Sequence, residues 1–162
     1  MRQPGTVTIR EGKHSDLQQV SSLWLEMIDV HRSLDDRAWE PAPDGPEKYR
    51  ECMEKTLALE ERVLLVAEVE GEIVGFTHGS LGNSPPPMAS RRIGYITDLA
   101  VTAGHRRHGI GRQLAETIIQ WFAQQDADEV KIGAAIPNQP AVAFWQALGF
   151  EPLTYGMGRQ LK

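Results

Sequence analysis

Three β-rich runs that follow one another with no helical segment between them set the strongest constraint on the fold. They cover 63–69, 73–78 and 92–101, and the short turn Glu70-Gly71-Glu72 joins the first two. Strands joined by so short a turn pair antiparallel, because a parallel pair needs a crossover of a dozen or more residues. The chain therefore predicts a sheet that is antiparallel at its centre.

The remaining segments alternate between helical and extended patterns. Helices are predicted from apolar spacing, caps and prolines over 16–32, 46–60, 109–125 and 138–148. Further strands are predicted over 6–10, 129–135, 150–153 and 157–161. The order is β-α-α-β-β-β-α-β-α-β-β, and the unit from 93 to 135 should be a right-handed parallel crossover. We expect one α/β domain over 1–162, with a mixed, mostly antiparallel sheet flanked by helices.

Composition narrows the class of protein. The net charge of −5 argues against nucleic acid as the main partner. The single cysteine, Cys52, excludes an internal disulfide, and no grouping of His, Asp or Glu has the spacing of metal ligands, so we expect no metal. No apolar run reaches the ~20 residues that span a bilayer, and 1–10 lacks the apolar core of a signal peptide. We therefore expect a cytoplasmic protein with no membrane partner.

A basic, glycine-rich loop lies between the strand that ends at Val101 and the helix predicted from Gly109. The stretch 101–112 holds three arginines, two histidines, three glycines and no acidic residue. Glycines let backbone N–H groups approach an anion closely, and the start of a helix adds the positive end of its dipole. The loop therefore predicts a site for a phosphate or diphosphate, and a solvated basic turn is the alternative.

Two well-known phosphate loops do not fit this stretch. Gly104 and Gly109 have the separation of a Walker A loop, but Ile110 and Gly111 follow in place of Lys and Ser or Thr. A dinucleotide-binding fingerprint needs a glycine where Leu114 stands. A nucleotide-binding protein of either kind is therefore a poor interpretation.

Two motifs together resemble the GNAT N-acetyltransferase superfamily. Arg106-x-x-Gly109-x-Gly111, after a strand ending Asp98-Leu99-Ala100-Val101, is similar to its coenzyme A loop. Asn138-x-x-Ala141-x-x-Phe144-Trp145-x-x-Leu148-Gly149-Phe150 looks like its penultimate helix and the strand after it. The resemblance covers about 63–162, and the element order agrees. It implies a GNAT-like fold and an acyltransferase that moves an acetyl group from acetyl-coenzyme A directly to an amine.

The resemblance also implies how acetyl-coenzyme A, the cosubstrate, would bind. Its pantetheine arm would pair with the backbone of Leu99, Ala100 and Val101, where that strand and the 129–135 strand splay apart. The diphosphate would lie on the backbone amides of the loop, at Arg107, His108, Gly109, Ile110 and Gly111. Arg106 and Arg112 would add charge at the rim. Asn138 would bind near the arm, with Phe144 and Trp145 packed beside it.

The chain departs from the family pattern at one position that matters for the chemistry. Many members have Tyr where this chain has Trp145, and an indole N–H is not a usable acid. Two alternatives follow. Tyr155 could protonate the leaving sulfur, or no acid is needed, because a thiol with a pKa of about 8.5 leaves as the thiolate. We favour the second.

The proton acceptor and the acceptor site are less constrained by the residues. The amine must lose a proton, since an alkylammonium with a pKa of about 10.4 has no lone pair. Asp98 on the central strand is a candidate for the base, directly or through water, but a structural role that ties a neighbouring loop or amide is the interpretation we favour. His78 on the preceding strand is a second candidate for the base. In the family fold the end of the first helix borders the acceptor, so His31 and Asp35 are candidates for substrate binding, with a solvated helix end as the alternative. His78, on its strand, is a further candidate.

Other functions and partners stay open at this point. One alternative is a non-catalytic module that senses acetyl-coenzyme A or coenzyme A, and another is a GNAT-like enzyme that uses a longer acyl thioester. The acceptor would be a small-molecule or peptide amine, which fold analogy does not identify. A homodimer is also open, because the predicted C-terminal strands offer an edge for pairing.

Overall fold

The computed structural model of the chain describes residues 5–37 and 39–161. In this part of the chain the strands are β1 (Val7–Glu11), β2 (Arg62–Val69), β3 (Glu72–Asn83), β4 (Arg92–Val101) and β5 (Glu129–Ile132). The α-helices are α1 (Leu17–Leu34), α2 (Gly45–Leu57), α3 (Ile110–Gln124) and α4 (Gln139–Ala147), and short 3-10 turns cover His14–Asp16 and Ala103–His105. None of the described helices is both long and apolar enough to cross a lipid bilayer.

The strands form one mixed sheet in the order β1-β2-β3-β4-β5. The pairs β1–β2, β2–β3 and β3–β4 are antiparallel, whereas β4 and β5 are parallel. Helix α3 connects the parallel pair, since strands that run in the same direction need a crossover. The predicted fold class, a mixed and mostly antiparallel sheet flanked by helices, is confirmed.

Alternating side chains of the sheet build a hydrophobic core on each face. On β2, Val63, Leu65 and Ala67 belong to one cluster with the apolar stripe of α3. Leu64 and Val66 belong to a second cluster, with buried residues of α1 and α2. Successive side chains of a strand point to opposite faces, so a strand covered on both sides must be apolar at every position. Each side chain of these strands therefore points either to the α3 face of the sheet or to the α1–α2 face.

Two glycines make room for the buried ring of Phe122 on α3. A Cβ atom at Gly94 would lie 2.5 Å from that ring. A Cβ atom at Gly79 would lie 2.8 Å from the same ring and 2.5 Å from the carbonyl oxygen of Tyr95. Phe122 itself is fully buried. The close approach of α3 to the sheet therefore depends on two positions without side chains.

Two strands have other limits than the sequence predicted. Strand β3 continues past His78 to Asn83, because Asn83 still pairs with Arg92 at the start of β4. Strand β5 stops at Ile132, three residues before the predicted end at 135, because its ladder to β4 ends there. In both cases the neighbouring strand determines where the strand ends, and the local sequence pattern does not indicate this end.

The prediction of two final strands, over 150–153 and 157–161, is wrong for this structure. Residues 151–161 form no strand or helix, and every one of them is exposed. Leu153 and Met157 belong to two short runs with apolar residues on either side of a turn that contains Tyr155, and this pattern predicted a pair of strands. A strand also needs a neighbour that completes its hydrogen bonds, and this segment pairs with none of the described strands.

We expect Gly94→Ala to lower the free energy of unfolding by about 1–3 kcal/mol, because the added methyl group overpacks the ring of Phe122. Gly82→Ala, also in a strand, is the matched control. Its Cβ would lie 3.1 Å from the ring of Tyr95, which is 39% exposed and has room to shift. Urea unfolding of both variants measures the difference. Equal losses would contradict the role given to Phe122.

Candidate active site

The site is built where β4 separates from its neighbour β5. Between the pairs His78–Asp98 and Gly79–Ile96, Thr97 is an extra residue on β4 with no partner on β3. The ladder from β4 to β5 ends at the same place, with Ile96. A bulge bends a strand and increases its twist. Beyond Ile96, β4 therefore runs free of β5.

A cleft of about 610 Å³ opens between the separated strands. Residues 97–101 of β4 line one wall, so Asp98, Leu99, Ala100 and Val101 all reach it, and residues 132–135 line the other. Helix α1 borders the cleft on one face of the sheet, and α3 and α4 border it on the other. The cleft thus crosses the sheet, as expected for the gap between two splayed strands.

The basic loop lines the cleft on the α3 side, through Arg106, Arg107, Gly109, Gly111 and Arg112. Arg107 and Gly109 have positive φ angles, of 67° and 79°. Gly109 is the N-cap of α3, and no side chain accepts a hydrogen bond from the amides there. The first N–H groups of an α-helix have no partner within the helix, so those of α3 are available to an anion.

Two of the loop residues predicted to bind the diphosphate have side chains that do not line the cleft. The side chain of Ile110 is 2% exposed and belongs to the α3 core. Its predicted role concerned the backbone amide, which lies in the first turn of α3. His108 is exposed and does not line the cleft.

Arg106 is tied to the protein itself. Its Nε donates to the carbonyl oxygen of Val101 at 2.8 Å, and its Nη2 donates to Glu26 on α1 at 2.9 Å. The Glu26 carboxylate also accepts from the amide of Ala103 at 2.7 Å and from the hydroxyl of Thr102 at 2.9 Å. Glu26 therefore fastens α1 to the start of the loop. Nothing in the local pattern singles out Glu26, because it is one polar residue among many on α1.

His105, in the same loop, carries a buried nitrogen that needs a partner. Among the described residues, its Nδ1 is buried and makes no hydrogen bond, and the residue lines the cleft. A buried polar atom without a partner is costly, so a ligand group that reaches it would be favoured. With the free amides of α3, Arg107 and Arg112, this nitrogen fits a ligand that carries a diphosphate. The sequence analysis placed His105 in the loop but not in the site.

The side chains predicted on the α4 side also gather at the cleft. The Oδ1 atom of Asn138 accepts from the amide of Ala141 at 3.2 Å and so caps α4, which leaves its Nδ2 for a ligand. Phe144 and Trp145 line the cleft and meet edge to face, with ring centroids 4.9 Å apart. Trp145 is only 7% exposed and also packs against Phe150. Its ring is thus part of the core as well as of the wall.

Asp98 lies at the α1–α2 side of the cleft and is held by two neighbours. The hydroxyl of Tyr49 on α2 donates to its Oδ2 at 2.9 Å, and Nε2 of His78 lies 2.9 Å from the same oxygen. Burial, and then the charge of Asp98 and the hydrogen bond to it, raise the pKa of Tyr49 well above its usual value. The hydroxyl therefore remains a donor. Tyr49 stacks on Trp24 of α1, with ring centroids 4.7 Å apart.

Sequence reasoning found Asp98 and His78 but missed Tyr49. A weak signal was present, because Tyr49, Met53 and Leu57 follow one another at intervals of one turn and form the apolar stripe of a largely polar helix. We call Asp98, Tyr49 and His78 the Asp98 cluster. Of its members, Asp98 lines the cleft, and His78 and Tyr49 stand behind it.

The structure separates the two predicted residues at the end of α1. His31 lines the cleft and packs against Trp39, with ring centroids 4.6 Å apart. Asp35 does not line the cleft. The guanidinium of Arg37 bonds it at 2.8 Å and lowers the pKa of Asp35 to about 2. Asp35 is thus engaged in an exposed ion pair, whereas His31 is in place to meet a ligand.

Tyr155 is not brought to the cleft. It is 75% exposed, in the irregular segment after α4, and it is not among the lining residues. Its role as an acid stays a prediction that the structure does not support with a contact. Within the described ranges, no three His, Cys, Asp or Glu side chains gather as they would to hold a metal ion.

The chain resembles known proteins in sequence. The acetyltransferase (GNAT) family matches residues 24–150. N-acetyltransferase family 8 member 3 of Rattus norvegicus is 29% identical over 157 residues, which are 91% of this chain and 68% of that protein. The probable N-acetyltransferase family 8 member 5 of Mus musculus is 31% identical over 86 residues, and that match spans 37% of its length.

Solved structures agree on the fold. A mutant of the BH1408 protein from Bacillus halodurans superposes with a TM-score of 0.84 at 25% identity, over 96% of this chain and 99% of that one. An aminoglycoside N-acetyltransferase, AAC(6')-Iy, in complex with CoA superposes with a TM-score of 0.76 at 17% identity, over 99% and 97% of the chains. With the family match covering most of its length, the chain belongs to the acetyltransferase (GNAT) family, the acetyl-coenzyme-A-dependent N-acetyltransferases.

Proposed function

We propose that this N-acetyltransferase transfers the acetyl group directly to an amine while both substrates occupy the cleft. The observation that carries the proposal is the cleft itself, which crosses the sheet where β4 leaves β5. Its α3 side is basic and its α1–α2 side holds the Asp98 carboxylate. Two substrates can therefore enter from opposite faces and meet beside residues 97–101.

The α3 side is the proposed binding site for the coenzyme. When bound, acetyl-coenzyme A supplies an acetyl thioester. The free amides at the start of α3 and the guanidinium groups of Arg107 and Arg112 would hold its diphosphate. The backbone of Leu99–Val101, which has no partner on β5, would bond its amide arm as an added strand does. Arg106 contributes mainly by fastening the loop to α1 through Glu26.

The residues of the chain account for the three needs of direct transfer. A backbone N–H of the 98–101 stretch would donate to the oxyanion of the tetrahedral intermediate. The proton of the attacking amine would pass to Asp98, directly or through a water molecule. The sulfur would leave as the thiolate, because the indole of Trp145 is no acid and Tyr155 is exposed away from the cleft.

An acetylated enzyme intermediate is disfavoured by the position of the one cysteine. Cys52 lies on α2, is exposed, and does not line the cleft. A covalent route needs a nucleophile within reach of the thioester carbon and a base beside it. No thiol meets that requirement among the described lining residues. The acceptor amine is therefore the nucleophile that attacks.

The acceptor is a small-molecule or peptide amine. The solved relatives include an aminoglycoside N-acetyltransferase and a glucosamine-6-phosphate N-acetyltransferase, and one sequence relative is an N-alpha-acetyltransferase. The chain spans only part of the curated relatives it matches, so their acceptors do not transfer to it. A homodimer, a cytoplasmic location and the absence of a metal stay predictions from the sequence.

Initial-rate kinetics test direct transfer. With acetyl-coenzyme A and an amine from a panel of peptides, aminoglycosides and arylalkylamines, we expect release of free thiol. Double-reciprocal plots should intersect, because both substrates bind before the reaction. Parallel lines together with an acetylated protein after incubation without amine would overturn direct transfer. Binding of acetyl-coenzyme A with no thiol release in the presence of any amine would favour a non-catalytic sensor.

Replacing Gly109 tests the anion site. A β-branched residue at a φ of 79° is strained, so Gly109→Val should displace the amides that open α3. Losing one or two charge-assisted hydrogen bonds predicts a Kd for acetyl-coenzyme A at least about tenfold higher by calorimetry. Gly104→Val in the same loop is the control, because a side chain there meets open space at an ordinary φ. Equal effects of the two variants would count against the site.

Replacing Tyr155 tests the leaving group. Tyr155→Phe should leave kcat within about a factor of two, because the hydroxyl lies outside the cleft and a thiolate of this basicity leaves unaided. Steady-state kinetics at saturating substrates make the comparison. A fall of about a hundredfold, the scale of a lost general acid, would show that the exposed segment moves to the cleft during turnover.

A further inference from the structure

We propose that the acceptor is a monoamine with an apolar stem, whose amino group binds at Asp98 and whose stem lies against Met27, Val30 and Trp39. The inference rests on the proposed function, because it takes the α1–α2 side of the cleft as the acceptor side. It adds the chemical class of the acceptor, and it assigns Tyr49 and His78 as positioning residues for Asp98.

The Asp98 carboxylate is built to present one oxygen to the cleft. Both protein contacts of its side chain, from Tyr49 and from His78, are made to Oδ2. Among the described residues no side chain or amide bonds to Oδ1, and Asp98 lines the cleft. An ionised carboxylate accepts at both oxygens. Oδ1 can therefore accept a hydrogen bond from an alkylammonium or amine that enters the cleft.

The charge of the cleft admits one amino group and disfavours a polyamine. Asp98 is the one carboxylate among the described residues that line it. The arginines of the cleft lie on its α3 side, where Arg106 pairs with Glu26 and Arg112 with Glu116, so they offer no partner to a cation. A second or third ammonium group would find no further carboxylate among the described lining residues. An acceptor with a single amine fits this distribution, and a polycation does not.

The surface beside Asp98 on the α1 side is apolar. Met27, Val30 and Trp39 line it, and Trp39 packs against the ring of His31. Met and aromatic side chains adapt to and stack on apolar groups, and they offer few hydrogen bonds to a sugar or a phosphate. A hydrocarbon or aromatic stem next to the amino group would bury apolar area against this surface. An aminosugar would leave several hydroxyl groups without partners.

Tyr49 and His78 act through Asp98. The Tyr49 hydroxyl donates from the α2 side, and Nε2 of His78 donates from β3 in the tautomer that the ionised carboxylate favours. The titratable groups that face His78 are Asp98 across the strand pair and Tyr49, whose ring centroid is 6.2 Å away. Cys52, one turn along α2, also faces Tyr49. Two donors on one oxygen fix the rotation of the carboxylate and so the direction of Oδ1.

Binding of a matched pair of ligands tests the carboxylate without requiring transfer. Phenethylamine and 2-phenylethanol share the stem and differ in the charged amino group. In protein saturated with coenzyme A, calorimetry should show the amine bound about tenfold more tightly than the alcohol, the scale of one ion pair. In Asp98→Asn the two Kd values should become equal, because the amide cannot pair with a cation. A lesion that merely loosened the fold would weaken both ligands alike.

The positioning residues are tested by the same ratio. Tyr49→Phe keeps the stacking on Trp24 and removes only the hydroxyl, so the preference for the amine should fall by about threefold to fivefold. His78→Leu should act similarly, and His78→Gln, which restores an N–H donor, should recover part of the preference. Tyr95→Phe, at an exposed tyrosine of β4 outside the site, is the control and should keep the full ratio.

Turnover then tests the acceptor class. In the thiol-release assay, phenethylamine and a peptide amide with an N-terminal leucine should show kcat/KM at least about tenfold higher than spermidine and kanamycin A. A preference for the polyamines, or an amine-to-alcohol ratio that Asp98→Asn leaves unchanged, would overturn the inference. If the amine binds in an Asp98-dependent way but is never acetylated, the proposed function fails and the binding inference stands.

Discussion

The local break in pairing between β4 and β5 is the constraint on which the rest of the site depends. Thr97 is one residue too many for the ladder with β3, and the ladder with β5 ends at the residue before it. Thr77, fully buried on β3, donates to the carbonyl oxygen of Asp98 at 2.8 Å and so secures the bulged backbone. A continuous sheet would satisfy every backbone group of β4 with protein. The bulge instead leaves one edge of residues 97–101 open to a ligand, in the middle of the fold.

The two helical layers give this cleft two chemically different sides. Helix α3 brings uncapped amides and a basic loop. Helix α1 brings apolar side chains, and α2 brings Tyr49, one of the two partners of Asp98. The sides are mechanically joined at Glu26, which reaches from α1 to three donors of the loop, at Thr102, Ala103 and Arg106. One carboxylate thus pairs with Arg106 and joins α1 to the start of the basic loop. The chain has a net charge of −5, so the positive charge of the loop is a local feature and does not reflect the overall composition.

Much of the architecture could be predicted from the sequence, and the predictions that failed have a common cause. The helices, the antiparallel centre and the parallel crossover followed from periodicity and from short connections, which are local properties. The glycines at 109 and 111 and the basic residues around them placed the loop correctly at the start of α3. The prediction of two final strands was wrong, because a short apolar run is a local property and a pairing partner is not. The length of β3 and the early end of β5 were missed for the same reason.

The sequence alone determined three features: the order of the elements, the basic glycine loop and the Trp at position 145. Each depends only on spacing or on residue type. The sequence could not predict two long-range contacts. Tyr49 bonds Asp98, 49 positions away, and Glu26 bonds loop residues 76 to 80 positions away. Neither residue is unusual within its own helix, and a single polar side chain acquires a function only when packing selects its neighbour. Packing of α1 and α2 on the sheet, driven by burial of apolar residues elsewhere, decides which polar groups meet. The grouping of polar side chains at the site is therefore a consequence of the tertiary fold, whereas the basic glycine loop is a property of the sequence.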